Sequence, residues 1–160
     1  MAAGKTYEPI ATNTLGSATA TVTFSSISGS YTDLRLVMSG TLPAGADITL
    51  RFNGDSSALY SRTYIVGDGS TTGSGSSTNQ TTIPAFFIGA TSTYSAFADI
   101  MNYANTTTFK TVLCRSGDNG SYVEANIGLY RSTSAITSIT IAGGSFQAGS
   151  TFTLYGIAAA

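Results

Sequence analysis

"TATVTFSSISGSYTDLRLVMSG", residues 19–40, decides the fold class. Apolar side chains fall on alternate positions, Val22 and Phe24 first, then Leu34, Leu36 and Met38. That period of two belongs to an extended strand with one side turned to a core. Small hydroxylated residues fill most of the other positions, and only Asp33 and Arg35 are charged. A bare, water-facing strand usually carries Lys and Glu at such places. Thr and Ser there predict a surface that other surfaces cover.

The same rhythm recurs along the chain. "YEPIA" (7–11) reads as an entry strand, with Pro9 at a sheet edge. "DITLRFN" (47–53) turns Ile48, Leu50 and Phe52 inward and Thr49, Arg51 and Asn53 outward. Further strands are predicted at 61–67, 83–90, 93–103, 136–143 and 150–157. "TTFKTVLCRS" (107–116) and "SYVEANIGLYR" (121–131) form a hairpin around "GDNG" (117–120). Residues 67–82, "GDGSTTGSGSSTNQTT", read as a flexible Gly/Ser/Thr loop. No stretch has the period of a helix. About ten short strands over residues 1–160 predict one all-β domain. It is an antiparallel, jelly-roll-like β-sandwich with an arm at 1–6. An immunoglobulin-like sandwich fits the same pattern. The lack of an internal repeat argues against a propeller or β-helix.

Composition narrows the partners. The 160 residues are 42% hydrophobic but only 9% charged, against about 25% in an average soluble domain. The net charge is −1, and the basic residues Lys5, Arg35, Arg51, Arg62, Lys110, Arg115 and Arg131 are scattered. Nucleic acid, which needs clustered cations, is not an expected partner. "MAAGKTYEPIATNT" has no apolar core of a secretory signal, and no apolar run approaches the ~20 residues of a membrane span. The expectation is synthesis in a cytoplasm, with no membrane partner.

The residue inventory removes most catalytic chemistry. There is no histidine and only one cysteine, Cys114. Triads built on His, and nearly all zinc sites, are thereby excluded. Among the carboxylates, only Asp99 and Glu124 lie within predicted strands and invite examination as a glycosidase-like pair. Each of the turns "NGD" (53–55), "GDG" (67–69) and "GDNG" (117–120) offers one carboxylate, too few for a calcium loop. "GDGSTTGSGSS" lacks the Lys-Ser/Thr of a phosphate loop. "NQT" (79–81), "NTT" (105–107) and "NGS" (119–121) match the glycosylation acceptor, as a Ser/Thr-rich chain does by chance. No catalytic residue, metal ligand or cofactor is expected. Cys114 shares one strand face with Lys110 and Val112, and which face is inward stays open. Tyr60, Tyr64, Tyr94, Tyr103, Tyr122 and Tyr130 can pack as half-buried strand residues or stack on a sugar. Tyr122, Glu124 and Asn126 share a parity that reads as an outward polar ladder.

Several stretches carry a resemblance: "YEPIATNTLGSATATVTFSSISGSYTDLRLV" (7–37), "LRFNGD" (50–55), "MNYANTTTFKTVL" (101–113), "GLYRSTSAITSITI" (128–141) and "GSTFTLYGI" (149–157). Together they resemble small virion proteins of tailed bacteriophages, which occur as short chains or as end domains of fibres. The resemblance implies a non-enzymatic structural protein located in the virion. Its leading form is a capsid decoration, or cement, protein that binds the assembled head. Homotrimers, with the major capsid protein or other virion proteins as partners, are implied with it. A fibre component that binds a host glycan is the alternative, and a polysaccharide-degrading enzyme using Asp99 and Glu124 stands third.

Overall fold

A computed structural model describes residues 6–43, 46–88, 92–119 and 122–158. Twelve strands follow one another, with no helix among the described residues. They are β1 (Tyr7–Thr14), β2 (Thr19–Phe24), β3 (Asp33–Leu42), β4 (Ala46–Phe52), β5 (Tyr60–Gly67) and β6 (Thr72–Gln80). Then come β7 (Ile83–Ile88), β8 (Ser92–Met101), β9 (Lys110–Asp118), β10 (Val123–Tyr130), β11 (Ile139–Phe146) and β12 (Thr151–Ile157).

Every pairing is antiparallel, and two sheets result. The larger has the order β1-β12-β3-β8-β9-β10-β5-β6, and the smaller β2-β11-β4-β7. The antiparallel sandwich expected from period-two alternation is therefore present, with twelve strands rather than about ten. Between the sheets lie Leu34, Leu36 and Met38 of β3, Ile48, Leu50 and Phe52 of β4, and Ile139 and Ile141 of β11. Phe146 and Phe152 meet edge-on at 4.9 Å in the same core. Each such side chain contributes about 1.5–3 kcal/mol by leaving water.

The stretch 67–82 is not a loop throughout. Residues 72–80 form β6, paired with β5 from Gly67–Thr72 to Tyr60–Gln80. Its Gly and Ser residues carry no apolar pattern, so main-chain pairing with β5 holds it in place. The turn before it is closed by Asp68, which accepts hydrogen bonds from the N–H groups of Ser70 and Thr71 at 2.9 and 2.6 Å. The predicted arm at 1–6 lies, apart from Thr6, outside the described residues.

The hairpin of β9 and β10 forms as expected, with Asn126 opposite Cys114. Its inward side is now fixed: Lys110, Val112 and Cys114 face the core. On β10 the buried residues are Glu124, Asn126, Gly128 and Tyr130. The supposed outward polar ladder thus points inward, and the apolar residues Val123 and Ile127 point out.

Candidate functional site

Polarity is inverted where β5, β9 and β10 meet, and the inversion has two sides. On the buried side, Arg62 Nη1 donates to Glu124 Oε1 at 3.2 Å and to Pro84 O at 2.9 Å. Glu124 Oε2 accepts from the N–H of Phe87 at 3.1 Å. Asn126 Nδ2 donates to Ala85 O and to Glu124 Oε1. β7 of the smaller sheet thus supplies the main-chain partners that let charged residues sit beneath it. Burial, the largest influence, pushes the Glu124 carboxyl above its usual range, while the bonds from Asn126, Arg62 and Phe87 pull the other way. This network fastens the two sheets to each other.

On the solvent side, the same strands expose aliphatic residues. Ile65 is 64% exposed, Val123 63%, Ile127 54% and Leu113 39%. The register makes them neighbours, with Ile65 beside Ala125 and Ile127 beside Leu113. Next along the face is Phe97, then Val37 on β3. A depression of about 760 Å³ lies over Ile65, Ala125 and Val123, and two smaller ones of about 360 and 340 Å³ flank it.

Arg115 lines all three depressions. Its guanidinium lies 5.9 Å from the Phe97 ring and forms no ion pair among the described residues. Arg35, farther along the face, is engaged. Its Nε and Nη2 meet the two Asp99 oxygens at 2.5 and 2.7 Å, and it lies between the rings of Tyr7 and Phe97. Asp99, acting first through these hydrogen bonds, raises the Arg35 pKa. The outer face therefore offers an aliphatic floor, an aromatic ring and one cation without a carboxylate partner.

The candidate carboxylate pair is not brought together. Asp99 belongs to the outer parity of β8 and is bound to Arg35, while Glu124 is buried on the inner side of β10. The two carboxyls lie on opposite faces of one sheet and cannot flank a single glycosidic bond. The turn acids are used locally. Asp55 Oδ1 accepts from Ser57 N–H at 2.8 Å, and Asp118 Oδ1 from Tyr122 N–H at 3.0 Å. Tyr60, Tyr94, Tyr103 and Tyr130 are buried, and Tyr64 and Tyr122 half-buried. Tyr60 and Tyr130 stack on each other at 4.7 Å rather than facing a ligand. Sequence reasoning missed the outer patch. Its only signal was the alternation of Val123, Ala125, Ile127 and Leu129, read there with the wrong sign.

The chain matches no protein-family model, and no curated protein sequence matches it. Among solved structures it is similar to the exo-inulinase from Aspergillus awamori, at 14% identity and a TM-score of 0.48 over 94% of this chain. The chain spans only 29% of the length of that enzyme. It is similar to the galectin LEC-6 from Caenorhabditis elegans, at 11% identity and a TM-score of 0.35, over 89% of this chain and 96% of that one. It is also similar to the PL-14 alginate lyase from Aplysia kurodai, at 8% identity and a TM-score of 0.33, over 82% and 70%. At these identities and scores the likenesses carry no argument about what the chain does.

Proposed function

We propose that the chain is a non-enzymatic structural protein of a phage virion, docking on an assembled body through the outer face of its larger sheet. The body is the major capsid protein lattice, and the bound chain stabilises that lattice because it binds only the assembled form. The supporting observation is the patch of Ile65, Val123, Ile127 and Leu113, exposed beside Arg115, which has no ion pair among the described residues. Contiguous aliphatic surface of this kind marks a contact site. An arginine at its middle fits a partner that brings one carboxylate to an otherwise apolar contact. The virion assignment rests on the stretches that resemble phage structural proteins.

The test is co-sedimentation of the purified chain with phage heads stripped of their accessory proteins. Binding is expected, with loss of at least tenfold in affinity for Ile65→Lys or Val123→Lys and unchanged thermal unfolding. No binding to heads by the natural chain would remove the proposal. A glycan array is the companion measurement: binding there, with none to heads, reassigns the chain to host-glycan recognition.

A further inference from the structure

The larger sheet ends in β1 on one side and β6 on the other. An edge strand presents a row of unpaired N–H and C=O groups, and folded proteins guard such rows with prolines, charges or bulges. β1 carries all three guards: Glu8, Pro9 and the register shift between Pro9 and Ala11. β6 carries neither a proline nor a charge over nine residues, "TGSGSSTNQ". Its register with β5 runs without a shift from Gly67–Thr72 to Arg62–Ser77, and the one shift it carries, between Tyr60 and Arg62, lies beyond that run.

The pairing pattern fixes which of its groups are free. Asp68 N–H donates to Thr71 O at 3.1 Å, closing the turn on a hydrogen-bonded pair. Antiparallel ladders alternate, so Val66–Gly73, Tyr64–Gly75 and Arg62–Ser77 exchange the next bonds. Thr72, Ser74 and Ser76 then direct their N–H and C=O groups away from β5. No strand among the described residues meets them. The depression over Ile65, Ala125 and Val123 reaches this edge, where Thr72, Gly73 and Ser74 form its rim.

We propose that β6 pairs, antiparallel and about a two-fold axis, with β6 of a second copy of this chain. An antiparallel pair is two-fold symmetric, so one edge can complete itself. With the axis at Ser74, Thr72 faces Ser76 of the partner subunit, and each free N–H meets a free C=O. Self-pairing sets Ser74 against Ser74 of the partner subunit, so a charge at the axis would meet its like. Residues 69–82 contain none. The partner strand also extends the wall of the depression on its open side, sheltering apolar surface along with the new hydrogen bonds. A head-to-tail contact of β6 with β1, as a ring would need, meets Pro9, which has no N–H to give, and the bulge beside it.

The experiment measures mass by light scattering from about 1 μM to about 1 mM, together with hydrogen exchange at both ends of that range. The natural chain is expected to become a dimer. Amides of Thr72, Ser74 and Ser76 should gain at least tenfold protection on dimerising, while those of Gly73 and Gly75, already bonded to β5, do not change. Ser74→Pro removes the N–H at the axis and should hold the chain monomeric with an unaltered far-ultraviolet dichroism spectrum. Ser74→Lys, which keeps every N–H and sets two like charges opposite each other at the axis, should also give monomer. A natural chain that stays monomeric throughout overturns the proposal. So does a trimer or dimer that survives both substitutions, or equal exchange of the three amides at both concentrations.

Discussion

Arg62 reaches Glu124 across the buried side of the larger sheet, Nη1 to Oε1 at 3.2 Å, where the Glu124 side chain is 3% exposed. Removing one member strands the other without its counter-charge. Glu124→Leu is expected to cost about 3–5 kcal/mol of stability in urea unfolding. The double change Arg62→Met with Glu124→Leu should cost clearly less, because no buried charge is then left alone. Equal losses for the single and double variants would show that the pair is not coupled.

The same carboxyl makes stability depend on pH with a definite sign. Burial raises the Glu124 pKa, so the folded chain holds that proton more tightly than the unfolded chain does. Its contribution is full below the ordinary carboxylate value, about 4.3, and declines as pH rises through the raised value. Glu124→Gln should therefore lose less stability than the natural chain between about pH 4 and neutrality. Parallel pH profiles for the two would contradict this.

Asp68 behaves in the opposite sense. The N–H groups of Thr71 and Ser70 hold its carboxyl down to about 2. What it adds to the β5–β6 turn is present above the ordinary value and lost as pH falls through about 2. Carboxyl titration followed by NMR should place its midpoint there. Asp68→Ala should speed amide exchange at Ser70 and Thr71 without altering the core.

Gly156 of β12 lies against a ring. A Cβ at that position would stand 2.4 Å from the Tyr31 ring. Gly156→Ala is expected to cost about 1–3 kcal/mol by overpacking, seen as a lower Tm. Gly54, whose added Cβ would meet nothing within 4 Å but whose φ is +66°, separates backbone strain from crowding when changed to Ala.

Cys114 is 1% exposed, and burial pushes its thiol pKa upward. It should resist alkylating and disulfide reagents at neutral pH until the chain is unfolded, and then react fully. Rapid labelling of the native chain would place this thiol at the surface instead.

How far the sequence could be read depended on what decided each strand. In β3, β4 and β12 the two parities differ plainly. Leu34, Leu36 and Met38 alternate with Asp33, Arg35 and Ser39, Val37 being the exception, and Ile48, Leu50 and Phe52 with Asp47, Thr49 and Arg51. Burial follows hydrophobicity there. β10 alternates as clearly, yet the polar half is inside, because Pro84, Ala85 and Phe87 of β7 offer main-chain groups that satisfy it. That offer belongs to tertiary packing and leaves no mark within residues 123–130. β6 has no apolar half at all, so nothing in its composition separates a strand from a loop. The outer face of Ile65 and Val123 was hidden by the same reversal.

β12 lies between β1 and β3, Thr153 facing Thr12 on one side and Val37 on the other. On the ribosome, residues 7–14 emerge before residues 15–150 and then wait while those are made, since among the described residues their one neighbour in the sheet is residues 151–157. Until that late segment leaves the exit tunnel, the long side of β3 also stays open. Closure of this part of the sheet is thus gated by translation through β12, and β1 must be kept from strangers while residues 15–150 are made.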